Sequence, residues 1–174
     1  MGNGLTFGNV KLRALEPADV ELLYQWENNP EIWKVSNTLA PFSKYTLNGY
    51  IQNSHRDIYE SRQLRLIVEN QEGKAVGCID LFDFEPFHAR AGVGILIYAT
   101  EDRRNGYASD ALKAMIRYCR NYLRLHQIYA NVGAKNIPSL KLFEKAGFER
   151  TGLKKEWQHT SEGWEDELIF QLIL

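Results

Sequence analysis

The chain has 174 residues, 44% of them hydrophobic and 25% charged, with a formal net charge of −1. Those are ordinary values for a single globular domain, and this length buries roughly two-thirds of the unfolded surface without a disulfide or metal staple. Near-neutrality argues against bulk binding to nucleic acid or an anionic membrane, and no stretch reaches the roughly 18 apolar residues of a membrane span.

The first ten residues carry neither a basic n-region nor an apolar h-region, so no secretory leader is expected. Val10 to Ala14 reads as a first strand, and Glu16-Pro17-Ala18-Asp19 as the start of a helix running to about Trp26. Asn28-Asn29-Pro30 should break that helix, because the residue before a proline disfavours the α region. Trp26 and Trp33 are either core plugs or walls of a substrate cleft. A second helical stretch is expected from Ser43 to about Tyr59. Leu64 to Glu69 and Ala75 to Phe84 then read as an antiparallel hairpin turning at Asn70 to Lys74.

Within that returning strand Asp80 and Asp83 lie three apart, which on a regular strand puts them on opposite faces, so only one can face a cleft. The apolar run Val93-Gly94-Ile95-Leu96-Ile97-Tyr98 is the next strand, and Gly92 and Gly94 suggest a bulge or a close backbone approach. Apolar or small residues at Ala108, Ala111, Leu112, Met115, Ile116, Cys119, Tyr122 and Leu123 mark the buried stripe of a helix. Gln127 to Val132 is a strand parallel to the previous one, because the helix between them is a crossover. Asn136 suits the cap of a further helix that stops at Gly147. Two closing strands, about Phe148 to Gln158 and Glu165 to Leu174, turn at Ser161-Glu162-Gly163. No linker, repeat or low-complexity segment appears, so residues 1–174 read as one domain. Cys78 and Cys119 fall on apolar patterns and read as small buried hydrophobes, consistent with a reducing cytoplasm.

The informative stretch is Arg103-Arg104-Asn105-Gly106-Tyr107-Ala108, a tight turn between strand and helix. A helix start has unpaired N–H groups and the positive end of the macrodipole, so it seats phosphate, and Gly106 lets the backbone come close. Two arginines add charge where a pyrophosphate would lie. The alternative reading of these residues is an ordinary turn with solvated arginines. Neither G-x-x-x-x-G-K-[ST] nor G-x-G-x-x-G occurs at such a junction; the pattern that fits is [QR]-x-x-G-x-[GA].

That pattern resembles the pyrophosphate loop of the GNAT superfamily of acetyl-CoA-dependent N-acetyltransferases. Asn136-Ile137-Pro138-Ser139-Leu140-Lys141-Leu142-Phe143-Glu144-Lys145-Ala146-Gly147-Phe148 is similar to the family's N-x-x-[SA]-x-x-[LI]-[YF]-[ED]-[KR]-x-G-F segment, in the right order and spacing. The resemblance implies the α/β GNAT fold, a mixed and mostly antiparallel sheet of about seven strands with a splayed parallel pair, flanked by about four helices. It implies acetyl-CoA as co-substrate, held by Arg103, Arg104, Asn105, Gly106, Tyr107 and Ala108, with Asn136, Ser139 and Phe143 along the pantetheine arm. The thioester carbonyl would be polarised by a backbone N–H among Leu96, Ile97 and Tyr98.

A polyamine-acetylating relative carries a substrate-facing acid at the position of Asp83, which makes Asp83 the first candidate for handling the amine's proton and Glu85 the reserve. The family's usual tyrosine acid corresponds to Phe143, which cannot donate a proton. Leu12-Arg13-Ala14-Leu15-Glu16 and Trp26-x-Asn28-Asn29-Pro30 resemble the branch holding spermidine and ribosomal-protein N-terminal acetyltransferases. Where the spermidine enzymes carry an acidic pair before Pro41-Phe42, this chain has Leu39 and Ala40. That loss counts against a polyamine and leaves the acceptor open; the first expectation is still a small polyamine-like amine, with a protein N-terminus or a catalytically silent acetyl-CoA-binding module as alternatives, and homo-oligomerisation is allowed. No metal constellation is present in the sequence.

Overall fold

The computed structural model describes residues 4–174. Eight strands form one sheet: β1 (Thr6–Phe7), β2 (Val10–Arg13), β3 (Leu64–Asn70), β4 (Ala75–Glu85), β5 (Arg90–Ile97), β6 (Gln127–Gly133), β7 (Glu149–Thr160) and β8 (Gly163–Ile173). Their spatial order is β1-β2-β3-β4-β5-β6-β8-β7, antiparallel throughout except for β5 beside β6. The strand beyond the expected set is β1, which pairs with β2 through Thr6↔Lys11 and Phe7↔Val10.

Six helices are described: α1 (Val20–Glu27), α2 (Pro30–Ser36), α3 (Lys44–Asn53), α4 (Ile58–Ser61), α5 (Tyr107–Asn121) and α6 (Ile137–Lys145). The count exceeds the expected four or so because residue types that can end one helix here begin the next. Pro30 occupies the first turn of a new helix whose cap, Asn29, accepts from Glu31 N–H. Asp57 likewise accepts from the N–H groups of Tyr59 and Glu60 and starts α4, dividing the expected Ser43–Tyr59 stretch in two.

Alternation along the strands sorts the core into two layers. Leu66, Val68, Ile79, Leu81, Ala91, Val93, Ile128, Ala130, Leu168 and Phe170 pack with Ala111, Leu112, Met115 and Cys119 of α5 and Phe143 of α6. The opposite face of β3 and β4, through Ile67 and Cys78, packs under Leu23, Ile32, Leu47 and Ile51 of α1 to α3, with Tyr98. Within the α5 stripe Ala111, Leu112, Met115 and Cys119 are fully buried, but Tyr122 lies past the helix end and is exposed. The second layer draws nothing from β6, β7 or β8, so the corresponding face of those strands has no helix of that cluster over it. Cys78 and Cys119 are free and buried, and burial pushes each thiol up to about 12.

Candidate active site

Strands β5 and β6 pair only through Arg90↔Gln127, Ala91↔Ile128 and Gly92↔Tyr129, although β5 continues to Ile97 and β6 to Gly133. They therefore part beyond Gly92 and Tyr129 and leave a gap that is closed at one end. Tyr98 N–H donates to Val76 O at 3.2 Å, which fixes the alternation of the antiparallel β4–β5 ladder. By that alternation Val93, Ile95 and Ile97 turn their backbone groups away from β4, toward the gap. Of the three expected donors, the Tyr98 N–H is thus already taken, and so by the same parity is that of Leu96. The donor facing the gap is Ile97.

At the mouth stands the glycine turn. Gly106 has φ 80, a left-handed conformation, and no atom lies within 4 Å of where its Cβ would be. No side-chain hydrogen bond caps the start of α5, so its first N–H groups are left without a side-chain acceptor. An uncapped start on a 15-residue helix, opened by a bare glycine, fits a pyrophosphate. The two arginines are held differently. Arg103 donates from Nε to Ile97 O and from Nη2 to Tyr98 O, both at 3.1 Å, and so braces the loop against the end of β5. Arg104, with φ 66, and Asn105 are exposed; Asn105 Nδ2 donates to Glu101 O. The Arg104 guanidinium has no hydrogen-bond or ion-pair partner among the described residues.

Across the gap, Asn136 caps α6 by accepting from Ser139 N–H at 3.3 Å, and its side-chain amide nitrogen has no protein partner among the described residues. Phe143 is 4% exposed, edge-on to Phe148 and near-parallel to Phe170. Its ring is a core element on the α5–α6 side of the sheet.

The closed end departs from the regular-strand expectation for the two aspartates. The β4–β5 register shifts between Phe82 and Glu85, and Asp83 sits in that bulge with φ 47. Asp80 faces the α1–α3 side, where Arg65 holds it with Nε and Nη2, both at 2.8 Å, and holds Glu27 with Nη1 at 2.7 Å. Phe82, two residues on, shares that side and meets the Tyr129 ring edge-on at 6.0 Å. Tyr129 in turn donates its hydroxyl to Asp83 Oδ2 at 3.4 Å. The bulge therefore turns Asp83 onto the same side as Asp80, where strict alternation would have put it on the other. Burial and the Asp83 charge both raise the pKa of Tyr129, so its phenol stays protonated.

Asp83 is exposed and has no cationic partner among the described residues, whereas Glu85 is bridged to Arg90 at 2.8 Å. Both border an open cleft of about 970 Å³ whose walls include Arg62, Phe87, Tyr129 and Gln171. Farther along this side Trp26 stacks on Tyr98 at 4.1 Å and 5°, and Trp33 Nε1 donates to Glu27 O, so the tryptophans brace α1 and α2. No motif in the sequence marks Arg65, Phe82 or Tyr129. Phe82 alone has a signal, Gly92 opposite it, because the close approach suggested by that glycine is made by the phenylalanine ring.

The acetyltransferase (GNAT) domain family matches residues 9–149. The chain belongs to that family. It is an acyltransferase of the N-acetyltransferase kind, and its co-substrate is acetyl-CoA. A spermidine N(1)-acetyltransferase of Vibrio cholerae is 28% identical to this acetyltransferase over 141 residues, 81% of this chain and 79% of the relative. The crystal structure of the Vibrio cholerae spermidine N-acetyltransferase in complex with CoA and spermine superposes with TM-score 0.85 at 24% identity, covering 95% of each chain. A dodecameric structure of that enzyme in an intermediate state gives TM-score 0.78 at 24% identity over 95% of this chain and 94% of the other. At such identities the superpositions establish the GNAT fold. Among the described residues no helix is long and apolar enough to cross a membrane.

Proposed function

We propose that this acetyltransferase moves an acetyl group to a small polyamine-like primary amine by direct attack in a ternary complex. The observation that carries the reading is Asp83. It is a carboxylate without a cationic partner among the described residues, turned by a bulge to the closed end of the β5–β6 gap and open to the cleft of about 970 Å³. Acetyl-CoA supplies the acyl group as a thioester whose carbonyl carbon an amine attacks.

An alkylamine with a pKa near ~10.4 arrives as an ammonium, and Asp83 both attracts it and accepts the proton that must leave before attack. Tyr129 donates to Asp83 and keeps it aimed. Glu85, neutralised by Arg90, is the reserve. The Ile97 N–H is a preorganised donor on the gap side. Arg104 and the bare start of α5 hold phosphate, and the free amide nitrogen of Asn136 is placed on the other bank of the gap. Phe143 contributes volume and no proton, which a thiol leaving group of pKa near ~8.5 tolerates.

The spermidine acetyltransferase among the relatives supports a polyamine-like acceptor, and the dodecameric neighbour supports a homo-oligomer. Exposed Leu39, Tyr45, Trp157 and Trp164 offer apolar surface for such an assembly. Two buried free thiols suit a cytoplasmic enzyme.

The test is release of free CoA, read with a thiol-reactive dye, from acetyl-CoA and a panel of polyamines, amino acids, amino sugars and ribosomal-protein N-terminal peptides. Polyamine-dependent release above hydrolysis is expected. Release with the peptides alone would move the acceptor to a protein N-terminus, and no acceptor-dependent release would make the chain a silent module.

A further inference from the structure

Phe82 and Gly92 are direct cross-strand partners on β4 and β5. A Cβ at Gly92 would lie 2.2 Å from the Phe82 ring, and one at Gly94 would lie 3.8 Å from it. The ring therefore lies across β5 above both glycines, and only the bare backbone of Gly92 lets it lie there. Its edge contact with Tyr129 joins it to the residue that marks the end of β5–β6 pairing. Phe82 is half-buried, so part of the ring is open. Along β4 it separates Asp83 from Asp80. The ring thus stands between the Asp83 end and the parted segment of β5, where a nitrogen moving from one to the other would meet it.

We propose that Phe82 determines acceptor specificity by admitting an unbranched primary alkylamine and refusing amines substituted on the carbon beside the nitrogen. This rests on reading the cleft at Asp83 as the acceptor site. An ammonium followed by a methylene can slide along an aromatic face with a favourable cation–π contact. A second carbon on that methylene must push the ring aside, and the ring has Gly92 backbone beneath it and Tyr129 at its edge, so retreat is resisted by close packing. The favoured class is the aminoalkyl end of a diamine or polyamine. The refused class comprises α-amino acids, peptide N-termini and amino sugars with nitrogen on a ring carbon.

If the ring only fills space above a glycine, Phe82 variants would lose stability and leave selectivity alone. The experiment compares kcat/KM for 1,4-diaminobutane and 2,5-diaminohexane, which carries a methyl beside each nitrogen. Wild type is expected to favour the unbranched diamine by at least about tenfold, the discrimination a pocket achieves against one extra carbon. Phe82→Leu is expected to narrow the ratio to within about twofold, mainly through a gain on the branched diamine. Acetyl-CoA affinity should be unchanged. Phe82→Met is the second variant should the leucine protein fail to fold. An active wild type with a ratio near one, or a folded variant that keeps the wild-type ratio, overturns the proposal alone. A wild type that acetylates no amine overturns the reading of the cleft and this proposal with it.

Discussion

The two ends of the β5–β6 gap are built on different principles. The mouth is made of backbone: a left-handed glycine, an uncapped helix start and two carbonyls that bind Arg103. The closed end is made of side chains held by a register shift, with the neighbours Phe82 and Asp83 on β4 meeting Tyr129 on β6, 46 residues on from Asp83. A backbone site recognises what every acetyl-CoA shares and tolerates change in most side chains. A side-chain site can be retuned by one residue without touching the co-substrate. That division lets one fold serve many acceptors.

The largest effect is expected where neither principle has slack. Arg65→Ala leaves Asp80 and Glu27 facing each other without their shared cation. A loss of about 3 kcal/mol is expected in denaturant unfolding, the lower part of the range for a broken buried pair because Asp80 keeps some solvent. At the mouth, Gly106→Val forces a β-branched residue into φ 80 and a side chain into the phosphate seat. Calorimetry should show acetyl-CoA binding weakened by about a hundredfold, near 2.7 kcal/mol, and an unchanged dissociation constant would remove this loop from the site.

At the closed end Asp83→Asn should lower kcat/KM for the amine by about tenfold to a hundredfold and leave acetyl-CoA binding intact. Equal losses in both would erase the contrast between the two ends. Phe143→Tyr puts a hydroxyl among Phe148 and Phe170, and is expected to cost about 1–3 kcal/mol in thermal unfolding. A stability left unchanged would mean that the para position already opens on the gap, and turnover should then rise.

The smallest effect lies outside the gap and serves as a control. Asp19 is pushed up by burial, but hydrogen bonds from Arg13 and Glu16 N–H outweigh this and lower its pKa. A depressed acid stabilises above its unfolded pKa of about 3.9 and loses that contribution as pH falls through the lower folded value. The stability difference between wild type and Asp19→Asn should be full at neutral pH and shrink below about pH 4, with acetyl transfer at neutral pH unaffected.

The same contrast explains what the sequence made legible. The mouth could be read because every part of it is local: Gly106, the strand before it and the helix after it are contiguous. The parallel pair followed from a single crossover helix. At the closed end the family resemblance pointed to Asp83, but its surroundings could not be read, because strict alternation sends Asp80 and Asp83 to opposite faces and the bulge that puts them on one face is a relation between two strands. Arg103 fitted its motif and still serves the loop, since a motif fixes residue type and says nothing about which oxygen a guanidinium finds first. Pro30 and Asp57 show the same limit in the helices, where one residue type can end an element or begin the next.

The buried cysteines have a practical consequence. Burial pushes both thiols up to about 12, so little thiolate forms near neutral pH, and both side chains are buried. The native chain is thus a silent background for maleimide chemistry. Phe87, 92% exposed on the rim of the cleft, can be replaced by a single cysteine and given a fluorophore without a double label. Acceptor arrival could then be followed by emission in real time, in the absence of any turnover.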